Sequence, residues 1–397
     1  MNGTLSADAT PYWTVHCTPG DALCSGGQAW VVIVTGSHDV VLRFEDAASV
    51  GSGDVARVSV KDSSPQSHSV VAQLIEIDGL PVLELAATAD KLDVVLLHKA
   101  GVQRVVNRGS GDVTVHDGVL VSSGPNLTLV TDGSGDVHAT SSSPLTVDRL
   151  ALSSQGSGRL QVSLSEFEVK TVSMKVHSSG GVDVAAASKG TADELALTVE
   201  GSGSMCLSSG TSLQTTHLSI DKIGSGDVSL GPRGTCQDAE LSMGGSGAID
   251  AGGMQCRDVT VDLLGSGSVV VQATASLSGD VFGSGHLTYY GAAPRSIDNV
   301  NDMGLVVAAP ASSSYQPSGC KASGVVGASS SHETRGAHKG ADDEFSYSVT
   351  FDQSNILYLA AAVFLVALVL RWFNDSRRRA RKEQRQPLVG AQRRVYV

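Results

Sequence analysis

Apolar residues alternate with polar ones in short runs through most of this chain. Val113 and Val115 flank a polar residue, as do Leu127 and Leu129, then Leu150 and Leu152. The runs continue with Leu160, Val162 and Leu164; Val172, Met174 and Val176; Val182 and Val184; and Leu195, Leu197 and Val199. A period of two marks strands with one buried face. Each run is short, so each unit reads as two or three strands that cannot bury their apolar face alone and must stack on neighbours.

Between the runs, nine Gly-Ser-Gly tripeptides recur, beginning at Gly51, Gly109, Gly133, Gly156, Gly201, Gly224, Gly245, Gly265 and Gly283. Ser179-Gly180-Gly181 fills the gap in the series, and from Gly109 onward the spacing stays within 18–24 residues. A unit of that length suits one coil of a parallel β-solenoid, which adds a rung of about 4.8 Å and pairs with the coils above and below. Gly-Ser-Gly is the corner: its glycines permit positive φ and close backbone approach, and its serine satisfies a nearby backbone group. An antiparallel barrel fits the alternation equally well but does not explain a corner returning at near-fixed spacing. Leucine-rich repeats require an Asn ladder that is absent.

The expected fold class is therefore all-β: a parallel β-helix or solenoid with one coil per 18–24 residues, plus a C-terminal transmembrane helix. The long interval from Gly51 to Gly109 has room for two coils with degenerate corners. Tyr289 and Tyr290 are placed to cover the last open rung, an edge otherwise liable to pair with other chains.

The recurrent Gly-Ser-Gly-Asp-Val (Gly51–Val55, Gly109–Val113, Gly133–Val137, Gly224–Val228) and the closing Gly-Ser-Gly-His-Leu-Thr-Tyr-Tyr-Gly (Gly283–Gly291) resemble the bacterial "putative auto-transporter adhesin, head GIN domain" family over roughly residues 30–291. The resemblance implies a right-handed β-helix, an envelope-associated setting and adhesion, with no catalytic residues to carry over.

Charge and hydropathy change the picture at the C-terminus. Ile356–Leu370 is apolar apart from Tyr358, and with Asn355, Arg371, Trp372 and Phe373 it reads as a membrane helix over 355–373. Residues 371–397 hold nine Arg or Lys against Asp375 and Glu383, although the whole chain carries a formal charge of -12. The positive-inside rule puts that tail in the cytoplasm and the acidic body outside or in a lumen. Such an orientation calls for a signal peptide, and Met1–Pro19 has neither a basic nor an apolar region of that kind. A missing signal is the expectation.

The expected organisation is an N-terminal segment (1–28), a solenoid ectodomain (29–305), a Ser/Gly/Ala-rich stalk (306–354), the transmembrane helix (355–373) and a basic cytoplasmic tail (374–397). An acidic body argues against nucleic acid as a partner. The cysteines Cys17, Cys24, Cys206, Cys236, Cys256 and Cys320 all precede the membrane segment. In an exported body they allow three bridges, with Cys17–Cys24 a local loop and Cys236 and Cys256 one repeat apart. Asn2 and Asn126 head glycosylation tripeptides.

Candidate chemistry is sparse. Asp54, Asp112, Asp136 and Asp227 follow the third corner residue, and a stack of carboxylates is a conceivable Ca²⁺ site. Arg159, Ser204, Ala248, Ser268 and His286 hold that position in other units, which favours a structural role: Asp accepting backbone bonds at a turn. His116 and His138 read as a chance stack near a corner. No metalloprotease or nucleophile-elbow motif is present, and no catalytic, cofactor-binding or metal residue is assigned. The expectation is a single-pass membrane protein at the plasma membrane, with an endomembrane lumen as the alternative. It presents an acidic solenoid for adhesion, scaffolding or binding of a protein or glycan, with self-association open. The rivals are a membrane-tethered polysaccharide-processing enzyme and a structural coat protein.

Overall fold

The Arg159–Leu164 strand shows how the coils form: Leu160, Val162 and Leu164 are buried while Arg159, Gln161 and Ser163 face outward. The same alternation repeats in the strand below it, Val137–Ser141, and in the strand above, Gly181–Ala186. Both pair with it in parallel, Leu160 lying between Val137 and Val182. A computed structural model describes residues 12–16, 30–45, 54–61, 70–77, 80–87, 91–97, 101–298 and 305–308. All of them are extended strand or turn, and they fall within one compact unit, Met1–Ala328.

Each coil has two main runs. One series is Val102–Asn107, Ser123–Thr131, Leu145–Ser154, Phe167–Val176, Lys189–Gly201, Ser212–Gly224 and Gly234–Gly245. The other is Val113–Val115, Val137–Ser141, Arg159–Leu164, Gly181–Ala186, Ser204–Ser209 and Val228–Gly231. Ala248–Gly265 and Ser268–Phe282 are continuous strands that serve both series in turn. Every pairing from Val102 onward is parallel. The expected parallel β-solenoid is the observed fold.

The core is a set of vertical columns. Leu127, Leu150, Val172, Leu195, Leu218, Ala239, Val259 and Leu277 lie one above another and are all buried. Each such side chain withdrawn from water contributes about 1.5–3 kcal/mol for the larger residues. One column turns polar above Val34. Asn107, Thr131 and Ser154 are fully buried below Val176, Val199, Lys222 and Met243.

The N-terminal part departs from the expected order. Trp30–Thr35 pairs in parallel with Leu80–Ala87 on one side and with Val102–Asn107 on the other. Asp39–Phe44 does the same between Lys91–Leu96 and Val113–Val115. The coil 30–44 is thus inserted between a coil that follows it in sequence and the coil after that. The interval from Gly51 to Gly109 supplies one parallel coil, not two. Its other strands are antiparallel: Asp54–Val60 pairs with Lys91–Leu96 and with Tyr12–His16, and Val70–Ile77 pairs with Leu80–Ala87.

Asp93 fastens this end. Its side chain is only 3% exposed; it accepts from Arg43 Nε at 2.8 Å and pairs with Lys61 Nζ at 2.9 Å. Burial by itself raises the Asp93 carboxyl. The hydrogen bonds and charges of Arg43 and Lys61 outweigh it and hold the group below the usual carboxylate range.

The C-terminal end also differs. His286–Tyr289 is not the last rung, because Leu305–Ala308 pairs with it in parallel and Ser296–Asp298 pairs with the preceding strand. Tyr289 lies under Ala308 rather than covering an open edge. Among the described residues no helix is long and apolar enough to cross a membrane. The segments 306–354, 355–373 and 374–397, apart from residues 306–308, lie outside the described residues, as do Gly51–Gly53, Cys17, Cys24, Cys320 and Asn2.

Candidate functional site

The corners hold the residues that most resemble a site. A Cβ at Gly133 would stand 1.9 Å from the Gly109 carbonyl oxygen, and one at Gly226 would stand 1.8 Å from that of Gly203. No side chain fits there, so the glycine is dictated by contact between rungs. At Gly224 the backbone adds a φ of +123°, which L-residues avoid. The stacking amides follow suit: Ser110 N–H donates to the Gly36 carbonyl at 2.8 Å, and Ser225 N–H to Gly201 at 3.0 Å.

The first corner of the stack is Gly36-Ser37-His38-Asp39-Val40, which the sequence hides behind a histidine in place of the third glycine. Gly36 lies beneath Gly109 and His38 beneath Gly111. His38 is buried, and its ring faces the coil containing Ala87, which has no Gly-Ser-Gly corner. Burial lowers the imidazole pKa, against opposing pulls from the Ala87 backbone and Asp39.

The corner carboxylates form a ladder of rung-to-rung hydrogen bonds. Asp39 Oδ1 accepts from Asp112 N–H at 2.9 Å, Asp112 Oδ1 from Asp136 N–H at 2.8 Å, and Asp136 Oδ1 from Arg159 N–H at 2.7 Å. Asp227 Oδ1 accepts from Ala248 N–H at 2.8 Å. Each carboxylate reaches the amide at the equivalent position one coil on. Asp54 opens the antiparallel strand Asp54–Val60 and so stands outside the run of parallel coils that carries this ladder. Where Arg159 replaces Asp, its guanidinium reaches along the axis to Asp183 at 3.2 Å and the Ser204 hydroxyl at 3.1 Å. Burial raises the Asp183 carboxyl, and Arg159 opposes that shift.

A second polar device sits just inside the corner. Asn107 Nδ2 donates to the Gly111 carbonyl at 2.9 Å, and its Oδ1 accepts from Gly109 N–H at 3.0 Å. Thr131 and Ser154 hydroxyls donate to the carbonyls of Gly135 and Gly158, both at 2.8 Å. Lys222 does a related job with Nζ donating to Gly224 and Ser246 carbonyls at 3.1 and 2.5 Å. Burial lowers its pKa, and Asp227 opposes that. Sequence reasoning missed this set. Its signal was a polar residue two places before Gly-Ser-Gly, in phase with buried apolar positions.

The other candidates separate. His138 lies over Thr114, not His116, and its Nδ1 contacts Gln161 Oε1 at 3.0 Å. Cys236 and Cys256 are register partners on adjacent coils and are joined by a disulfide. Cys206 is also disulfide-bonded. Asn126 is exposed on the Ser123–Thr131 strand. Among the described residues no group of three or more His, Cys, Asp or Glu is arranged to hold a metal ion. A small apolar cavity beneath the N-terminal end is lined by Trp30, Val32, Val55, Leu83, Leu96 and Val102, and it carries no reactive group.

Three bacterial structures are similar to the chain. A putative adhesin from Parabacteroides merdae ATCC 43184 shares 16% identity over 75% of this chain and 95% of its own, with a TM-score of 0.37. A putative lipid binding protein from Parabacteroides distasonis ATCC 8503 shares 14% over 75% and 94%, at 0.27. A putative adhesin from Bacteroides fragilis NCTC 9343 shares 13% over 76% and 97%, at 0.26. No curated protein matches the chain. Residues 102–233 and 176–293, the sequentially stacked coils with their glycine corners, match the family model described as "Putative auto-transporter adhesin, head GIN domain".

Proposed function

We propose that this chain is an adhesin-like binding protein, held at a membrane by residues 355–373, that presents its acidic solenoid outside the cell to another protein or a glycan. One observation carries the reading. The repeated corner carboxylates, the residues best placed for chemistry, each accept a backbone amide of the next rung. Their repetition serves stacking, which leaves the outward columns between corners for recognition. The match to the adhesin family model supports a non-enzymatic role and a cell-surface or extracellular setting. The basic residues after the apolar segment support the orientation.

The test is protease treatment of intact cells that make the full chain with an N-terminal tag. The proposal expects the tag to be removed without permeabilisation. A tag digested only after permeabilisation would contradict a body displayed on the cell surface.

A further inference from the structure

The outward residue just before each corner changes character along the stack. In the middle coils it is polar: His177, whose Nδ1 lies 3.2 Å from a carboxylate oxygen of Glu200, and Glu200 itself. Directly above Glu200 come Ile223, Gly244, Leu264 and Phe282, one per coil. Ile223, Leu264 and Phe282 are 37%, 44% and 38% exposed, in a column where the fold asks for nothing apolar.

Gly244 is the informative member. Unlike the corner glycines, a Cβ there would meet no atom closer than 3.9 Å, the Lys222 carbonyl oxygen, and the residue has no positive φ. Stacking therefore does not demand glycine. Its effect is a notch in the column, bounded by Ile223 and Leu264 about 10 Å apart across two rungs. Two residues earlier on the same strands runs a second outward column, Asp221, Ser242, Asp262 and Asp280. An apolar stripe with a notch is thus walled along one side by carboxylates.

We propose that this surface docks an extended segment of another protein that carries large apolar side chains and Lys or Arg on one face, two residues apart. One apolar side chain enters the notch at Gly244, its neighbours lie on Ile223, Leu264 and Phe282, and the cations face Asp221, Asp262 and Asp280. Charge selects this occupant. A second copy of the chain would bring a second acidic column against the first, and like charges across an interface are strongly disfavoured. The stripe is shorter than a standard protein interface, so binding is weak and transient. This inference rests on the reading of the solenoid as a binding module and names the partner class and the surface.

The experiment titrates purified full chain into three fluorescent peptides of equal length: a Leu/Lys peptide of Leu-Ser-Lys-Ser repeats, a Ser/Lys peptide with Ser in place of each Leu, and a Leu/Asp peptide with Asp in place of each Lys. The Leu/Lys peptide is expected to bind at least tenfold more tightly than the other two. Gly244→Leu, which fills the notch, and Leu264→Ser each weaken it about tenfold, and the melting temperature of Gly244→Leu stays at the wild-type value. Equal binding of the Ser/Lys peptide, or Leu/Lys binding untouched by both substitutions, overturns the proposal. So does a dimer detected by light scattering that Gly244→Leu abolishes, since a second copy would then own the stripe. None of these failures bears on display at the cell surface, which protease treatment of intact cells decides separately.

Discussion

The backbone of Gly111 passes so close to that of His38 that a Cβ on Gly111 would stand 2.0 Å from the His38 carbonyl oxygen. Residues separated so widely in sequence meet because the coil 30–44 is inserted beneath the coil 102–115. The contact is the same one that joins Gly135 to Gly111, where a Cβ would stand 2.0 Å from the Gly111 oxygen. The inserted coil is therefore stacked as tightly as the sequential ones.

That insertion is open to cross-linking. Val41 and Thr114 are register partners. The double substitution Val41→Cys and Thr114→Cys should form an intramolecular disulfide on mild oxidation, since adjacent strands bring Cα atoms within bonding range. Peptide mapping should recover the linked pair. In a stack ordered by sequence, coil 91–96 would separate the two residues and no bond would form.

Corner glycines should be far more sensitive than the notch glycine to the same substitution. Gly226→Ala places a methyl 1.8 Å from the Gly203 oxygen and should destabilise by about 3 kcal/mol or more. Gly244→Ala meets open space and should change stability by about 0.5 kcal/mol or less. Urea midpoints of the two variants decide it, and equal losses would refute the corner account.

Acid should loosen the N-terminal end first. The Asp93 carboxyl is held below its unfolded value, so its contribution is present above that value, near 3.9, and is lost as pH falls through the lower folded one. Asp93→Asn removes the ion pairs with Arg43 and Lys61 and should cost about 1–3 kcal/mol at neutral pH. Its deficit against the wild type should shrink in acid. Hydrogen exchange in strands 54–60 and 91–96 reads both effects, and a deficit that grows in acid would be the wrong sign.

The Cys236–Cys256 bridge joins neighbouring rungs across 20 residues of sequence. Replacing both cysteines with serine frees that loop in the unfolded chain and should lower stability by about 3 kcal/mol. The coil around Gly234–Gly245 should show the largest gain in exchange. A change spread evenly over the stack would argue against a local clasp.

Much of the solenoid was legible because two signals reinforce each other: alternation sets the strands, and the steric demand at positions such as Gly133 and Gly226 writes the corner into the sequence. Order of stacking leaves no such mark. Periodicity gives the length of a coil and not its neighbours, so the insertion of 30–44 was invisible. The corner beginning at Gly36 was masked because His38 faces a coil lacking a glycine corner and so escapes the demand placed on Gly111. Leu305–Ala308 was missed because no Gly-Ser-Gly precedes it; Asp302-Met303-Gly304 stands there instead. The Asp ladder was foreseen as turn bonding, although its reach to the next rung was not. The stripe at Ile223, Leu264 and Phe282 was written in the sequence as the residue before each Gly-Ser-Gly, but only the structure shows those side chains to be exposed.

The central claim is that the corner carboxylates join rungs and do not form a ligand set, so recognition falls to the columns between corners. Calcium settles it most directly. Thermal unfolding of the wild type and of Asp112→Ala/Asp136→Ala is measured in excess EDTA and in excess Ca²⁺. The account predicts that the wild-type midpoint is the same in both, and that the variant melts lower by a similar margin in each, having lost two charge-assisted hydrogen bonds worth about 1.5–3 kcal/mol apiece at most. A wild-type midpoint that rises with Ca²⁺, with no such rise in the variant, would contradict it and make the ladder a metal site.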